Sequence, residues 1–435
     1  MRIKTKISAI SVIFVCLFFA VSCGGSSKEE PKNDGDNETS DENVISDEDE
    51  VNDADDTDNT GDESGKASVS SIKFTIPEDA STVAKLSGHF AFPDVVKLES
   101  GKLMAVFRNG STHADESGAI IAAFSDDGIN WEEPVVIMDD ETIDDRDPSI
   151  AVLSDGRVAM NWFKYRYAAD HNEPWVHHLF FALSDKTGAG FGKPVQVDTG
   201  IFDYSETAVL DDNGIWVDEK GEEITVGASS SSAVEHEGKI IIPGYFGGAL
   251  NWSSMGSTPK TRVVLFESAD GGATWTPNKV EAEIDDKLWL SEPALLKVTD
   301  KRWLLHVRTA KGASPSNKGD LVQSVSEDGG KTWSPYESLG FVAHAPELLK
   351  LENGVIISSF RWLDWDINVN REAVSMVYSL DGGATWSDVI EILDCDLAEC
   401  GYPGMVELPD NKILVVYYTP GGKRIESKII TFKAE

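Results

Sequence analysis

The chain has 435 residues, 41% of them hydrophobic and 26% charged, with a formal net charge of −37. That length allows two or three average domains or one closed all-β unit, and the apolar fraction is enough for a sizeable core. So acidic a balance excludes a nucleic-acid-binding surface.

At the N-terminus, Arg2, Lys4 and Lys6 precede an apolar run over Ile10 to Val21 that ends in Ala20-Val21-Ser22-Cys23. Basic residues, a short apolar stretch and small residues in that order predict a secretory signal peptide over 1–22. The run is too short to span a bilayer comfortably. Small residues before a cysteine, followed by Gly24-Gly25-Ser26-Ser27, resemble a bacterial lipoprotein cleavage box. That resemblance implies lipidation of Cys23 and anchoring to the outer membrane or cell surface. Residues 26–66 carry 17 acids against three lysines and no aromatic residue, so 23–68 is expected to be a lipidated cysteine followed by a disordered, self-repelling linker.

From 69 to 435 the chain repeats itself, and repeats decide the fold. Ser268-Ala269-Asp270-Gly271-Gly272-Ala273-Thr274-Trp275 returns at 326–333 and 379–386, in shortened form at 125–131, and as the degenerate Ser184-Asp185-Lys186-Thr187-Gly188. Each copy follows an apolar run, and its Asp-Gly-Gly core suits the positive φ angles of a tight hairpin. The aspartate can accept backbone N–H groups and the tryptophan can cap the turn. Ahead of each hairpin stands a second phrase, a strand containing proline, as in Phe92-Pro93, Asp147-Pro148, Glu292-Pro293, Ala345-Pro346 and Tyr402-Pro403. With the less regular Ser231-Ser232-Ala233-Val234, six units cover residues 87–420. They predict an all-β, six-bladed propeller of four-stranded antiparallel blades. Residues 74–86 and 425–432 are expected to close the ring from opposite chain ends, and 201–223 to form an insertion. Cys395 and Cys400, the one cysteine pair beyond Cys16 and Cys23, can be bridged or free.

These repeats, which are Asp-boxes on a propeller, resemble the bacterial sialidase family and its wider Asp-box relatives over residues 87–420. The resemblance implies a retaining exo-glycosidase acting on terminal sialic acid or a related acidic sugar, in which a tyrosine attacks the anomeric carbon. By the family's order, Tyr402 would be that nucleophile, Glu292 the group that takes its proton, and Asp115 the acid/base, with His113 and Glu116 as neighbours able to take that role. Arg308 and Arg371 match two members of a carboxylate-binding arginine triad, and Arg108, Arg146 and Asp147 fall at further binding positions. The sequence departs from the family where its first triad arginine should stand, since Phe90-Ala91-Phe92-Pro93 places Ala91 there. Arg146 is the candidate substitute. Val416-Tyr417-Tyr418 also lacks a glutamate that many relatives place there.

The remaining constellations suggest less. His177-His178 alternates like a strand without a third ligand nearby, so no metal is expected there, and the Ser229–Ser232 run reads as a loop lining one face. Arg361-Trp362-Leu363-Asp364-Trp365 has the composition of a sugar-stacking platform, with core packing of one ring equally open. The expected partner is a glycan, with no cofactor and a monomeric state. Two rival readings keep the propeller: a non-catalytic glycan-binding surface protein, and a glycosidase for a different sugar.

Overall fold

Alternating apolar runs punctuated by glycine turns leave little in this chain that could form a helix. In the computed structural model the described residues are 69–434 apart from 116, 167–175, 199–208, 211–215, 218–226, 247–261, 285–287, 312–317, 367–368 and 397. The expected signal peptide, Cys23 and the linker lie outside them.

Six antiparallel sheets form the blades. Blade 1 uses strands His89–Lys97, Leu103–Gly110, Ala119–Ser125 and Val135–Met138, and blade 2 uses Asp144–Val152, Val158–Arg166, Val176–Leu183 and Val195–Gln196. Blade 3 comprises Val234–His236, Lys239–Phe246, Arg262–Ser268 and Thr276–Lys279. Blade 4 comprises Leu288–Lys297, Trp303–Lys311, Val322–Ser326 and Glu337–Ser338, and blade 5 Ala343–Lys350, Ile356–Asp366, Val369–Ser379 and Ile390–Asp394. Blade 6 joins Gly401–Leu408, Lys412–Tyr418 and Ile425–Ala434 to the N-terminal strand Ile72–Thr75, with Phe74 opposite Phe432. Ser81–Ala84 pairs with the same C-terminal strand, so the ring closes from both ends as expected. Of the 201–223 interval, a small hairpin of Val209–Leu210 with Trp216–Val217 is described.

The core is a series of wedges between neighbouring blades. Met104 and Ile120 of blade 1 meet Met160 and Trp162 of blade 2, and Phe181 of blade 2 meets Ile242 and Phe266 of blade 3. Each fully buried apolar side chain of this size contributes about 1.5–3 kcal/mol. The Asp-boxes close these wedges. In blade 4, Asp328 Oδ1 accepts the Thr332 N–H at 2.8 Å, its Oδ2 accepts the Thr332 hydroxyl at 2.6 Å, and Trp333 Nε1 donates to the Gly330 carbonyl at 3.1 Å. The degenerate copy keeps the aspartate bond, from Thr187 N to Asp185 Oδ1 at 2.9 Å.

In the blade 3 box the second glycine presses on the preceding blade. Gly272 sits at φ +91°, and a Cβ there would come within 2.1 Å of the Phe181 ring. Gly272→Ala is therefore expected to destabilise the fold by about 2–4 kcal/mol, from left-handed strain plus overpacking, read as a lower urea midpoint. Gly271→Ala, whose Cβ would meet nothing within 4 Å, incurs the strain alone and should cost less.

The proline-containing strands share a feature beyond sequence alternation. Phe92, Asp147, Glu292, Ala345 and Tyr402 each precede a proline and adopt φ between 46° and 56°. A register shift falls at each of them, for example between Ser291 and Ala294 in blade 4 and between Gly401 and Gly404 in blade 6. Proline has no N–H to give a sheet ladder and fits at a bulge, and a bulge re-aims the side chain beside it. The left-handed conformation costs on the order of 1–3 kcal/mol per residue and gathers at functional sites.

Candidate active site

Phe92, Asp147, Ala345 and Tyr402 line one axial pocket together with Ser230 of blade 3. Glu292, in the equivalent bulge of blade 4, reaches the same group: the Tyr402 hydroxyl donates to Glu292 Oε1 at 2.7 Å. Arg308 Nη1 donates to that same oxygen at 2.5 Å, and the Ala345 N–H to Oε2 at 2.8 Å. The Tyr402 ring packs edge-on against Phe92 at 4.9 Å. Burial, and then the Glu292 charge, push the Tyr402 phenol well above its ordinary value, while Arg308 pulls the other way. Tyr402 is thus a neutral phenol with a proton acceptor already in hydrogen-bond contact.

A second set of positions lies across each bulge, on the next strand. Arg108 pairs in register with Ala91, Arg308 with Ser291 and Arg361 with His344. Phe163 and Tyr418 hold the equivalent places in blades 2 and 6. Arg361 donates to Glu372 Oε2 from Nη2 at 2.5 Å and from Nε at 3.1 Å. Burial lowers its pKa, but the charges of Tyr418, Glu372 and Tyr402 outweigh that and leave it raised. His344 is held well below its ordinary value by burial and by Arg308, Arg361 and Lys318. Lys318, lowered to about 8 by burial first, responds to the same two arginines. Blades 4 and 5 therefore gather a cationic group, Arg308, Arg361 and Lys318, around His344.

Arg371 is not part of it. Its side chain turns to the outer strand of blade 5, where it pairs with Glu391 and with Asp394 Oδ2 at 3.2 Å. It is Arg361, which the sequence reading had placed in an aromatic platform, that acts on His344 together with Arg308. Within that segment Trp362 packs beside Phe360 and Ala343, and the Asp364 and Trp365 side chains lie outside the described residues.

Arg108 is fully buried, bonded through Nε to Asp144 Oδ1 at 2.6 Å and to the loop carbonyls of Thr112 at 2.9 Å and Asp115 at 3.3 Å. It anchors the 111–117 loop. Arg146 lies 4.8 Å over the Phe92 ring, 3.3 Å from Asp144 Oδ2 and 3.8 Å from Asp147 Oδ1. It therefore stands beside the bulge that follows Ala91, with two carboxylates to neutralise it. Asp115 is bound by its own loop, accepting from Thr112 Oγ1 at 2.7 Å, from Ser117 N at 2.9 Å, and from Thr112 N and the Ser117 hydroxyl. Burial raises its pKa, but these bonds outweigh it and hold the carboxyl well below the usual range. Asp147 is the opposite case: burial pushes it up to about 7, with a Ser230 hydroxyl at 2.6 Å from Oδ2.

The serine run, expected as a loop lining one face, instead bonds into neighbouring segments, with Ser229 and Ser231 buried. Ser229 bonds the Pro243 carbonyl at 2.7 Å, Ser231 the Pro293 carbonyl at 2.6 Å and Ser232 the Asp94 carboxylate at 2.7 Å. His178 is buried with Nδ1 3.3 Å from Asp198 Oδ1, and the His177 side chain lies outside the described residues. Cys395 and Cys400 are bridged, with Cα atoms 6.2 Å apart.

Asp94 and Glu347 also line the pocket and occupy the same place, two residues past the bulge, in blades 1 and 5. Burial pushes Asp94 up to about 6 and Glu347 well above its ordinary value, the Asp94 charge adding to the rise of Glu347. A raised carboxyl contributes stability that is intact below about pH 4 and lost as pH rises through about 6. Glu347→Gln should therefore raise the urea midpoint relative to wild type, and by more at pH 8 than at pH 5. Comparing variant with wild type at each pH cancels His306, held down to about 4 by burial, which acts in the opposite sense.

Residues 225–415 match the BNR repeat-like domain family. No curated protein sequence matches the chain. Among solved structures, a Dyadobacter fermentans protein of unknown function is 21% identical at a TM-score of 0.64, over 84% of this chain and 100% of that one. The NanB sialidase of Streptococcus pneumoniae is 12% identical at 0.56, over 83% of this chain and 71% of that one. Trypanosoma rangeli sialidase in complex with sialic acid is 16% identical at 0.54, over 82% and 57%. At such identities the likeness concerns the fold. The chain is a six-bladed β-propeller, similar in fold to these solved structures, and its residues 225–415 are similar to the BNR repeat-like domain.

Proposed function

We propose that this chain is a retaining exo-glycosidase of sialidase type that removes a terminal acidic sugar from glycans. The observation that carries the reading is the shared oxygen of Glu292, which accepts from Tyr402 at 2.7 Å and from Arg308 at 2.5 Å. Tyr402 oxygen attacks the anomeric carbon as the glycosidic C–O bond breaks, and the phenolic proton passes to Glu292. A neutral nucleophile avoids repulsion from the sugar carboxylate, which the cationic group formed by Arg308, Arg361 and Lys318 would hold. Asp115 is the proposed donor to the leaving oxygen, which requires its loop to release the Thr112 and Ser117 bonds so that its pKa can rise. Water then attacks the anomeric carbon and cleaves the tyrosyl glycoside bond with the proton movements reversed, so that Glu292 returns its proton to the phenolate oxygen.

Ala91 and the firmly ionised Asp115 favour one rival, a propeller that binds an acidic glycan without cleaving it. A fluorogenic α-sialoside separates the two. Release of fluorophore by wild type supports hydrolysis, and saturable glycan binding with no product supports the rival. Secretion and lipid anchoring through Cys23 are part of the same proposal, because a surface enzyme meets glycoconjugates directly. Radiolabelled palmitate incorporated into wild type and absent from Cys23→Ala is the expected result.

A further inference from the structure

Beside the pocket, three residues from three parts of the ring converge without a role in the chemistry above. His89 begins the inner strand of blade 1, His113 lies in the loop two residues before Asp115, and Glu399 lies in the link between blades 5 and 6, next to the disulfide-bonded Cys400. One ligand atom from each falls within 4.8 Å of the others. His113 Nδ1 is 2.9 Å from Glu399 Oε1, and the two imidazole centroids are 5.3 Å apart, edge to face. His89 Nδ1 is buried and meets no hydrogen-bond partner among the described residues.

We propose that His89, His113 and Glu399 form a binding site for a first-row divalent cation, zinc suiting it best. Two imidazoles and one carboxylate make a three-ligand zinc set with a fourth position for water. A supporting layer exists too: the Tyr418 hydroxyl donates to Glu399 Oε1 at 3.0 Å and fixes the carboxylate. Arg361 Nη1 stands 3.8 Å from the same oxygen, a repulsion that the cation must overcome.

Packing favours histidine here. Gly422 lies against His89, where a Cβ would come within 2.3 Å of Nε2, and the His113 ring meets Phe92 edge-on at 5.5 Å. Closing three ligands on a metal requires sub-ångström to one-ångström shifts from 4.8 Å to the roughly 3.4 Å spacing of a tetrahedral zinc set. The cation would tie the 111–117 loop to the blade 5–6 link, across the seam where the ring closes, and so set the position of Asp115. This site is independent of any glycosidase activity.

The test uses the full chain, stripped with chelator and titrated with zinc chloride by calorimetry. The expected result is one strong site per chain, lost in both His113→Ala and Glu399→Gln, and about ten-fold weaker in Tyr418→Phe. Unchanged binding in the first two variants places the metal elsewhere, such as on the acidic N-terminal segment, and overturns the proposal, as does the absence of saturable binding by wild type. If near-UV circular dichroism shows either variant unfolded, cobalt-loaded wild type decides. Intense tetrahedral d–d bands support the site, and a weak, aqua-like octahedral spectrum overturns it.

Discussion

Tyr402→Phe is expected to lower kcat on an aryl α-sialoside by at least about 10³-fold while leaving the urea midpoint within about 1 kcal/mol of wild type. The oxygen being removed is the proposed nucleophile, and no neighbouring group can replace it. Its loss also deletes one hydrogen bond to Glu292, which retains Arg308 and the Ala345 N–H. A single lost bond of this kind is worth about 1 kcal/mol. The steady-state rate and the midpoint together distinguish chemistry from folding. Glu292→Gln should also reduce kcat, since the amide cannot accept the phenolic proton. It should in addition destabilise the fold, because the Arg308 guanidinium would be left buried without its carboxylate.

The second large effect distinguishes Arg361 from Arg371. Arg361→Lys should lower kcat/KM on an acidic substrate by about 10²-fold or more, the value of a lost charge-assisted pair in a water-poor site. Arg371→Ala should change it less than about two-fold, because its partners Glu391 and Asp394 lie on the outer strand and the group is a third exposed. Lysine is chosen so that Glu372 keeps a cation and the fold is preserved. The reverse result, with Arg371 essential and Arg361 dispensable, would remove the cationic group of blades 4 and 5 from substrate binding.

The blades and their hairpins were legible because their signals are local. Asp-Gly-Gly before Thr-Trp forces one turn, and each aspartate finds its partners within four residues. Ring closure was legible for a related reason, since a leftover strand at each end has an edge to satisfy. That Arg361 rather than Arg371 stands near Arg308 was not legible, because strand alternation says which face a residue takes but not where a bulge shifts the count. A regular spacing was nevertheless present. Arg108, Arg308 and Arg361 each follow their blade's proline by 15 residues, as do Phe163 and Tyr418, whereas Arg371 follows Pro346 by 25. That interval is the length of the bulged strand, its turn and the return strand, so it places each residue beside its own blade's bulge.

Neither the bulge conformation nor the state of the acids was readable from residue order. Nothing in Tyr-Pro or Glu-Pro announces a positive φ, because a residue before proline is ordinarily driven to extended backbone. Asp115 and Asp147 look alike as letters, but hydrogen bonds within its own loop hold one well below the usual carboxylate range and burial pushes the other up to about 7. The His89–His113–Glu399 group was invisible because its members are 24 and 286 residues apart and meet only where the ring closes.

The most direct test of the account is covalent. A fluorinated sialic acid analogue, whose electron-poor ring slows hydrolysis of the enzyme-bound intermediate, should be incubated with wild type and the protein digested for mass spectrometry. The predicted result is a single glycosyl adduct on the peptide bearing Tyr402, absent from Tyr402→Phe. An enzyme that turns over sialosides with no adduct, or with the adduct on any other residue, would contradict it.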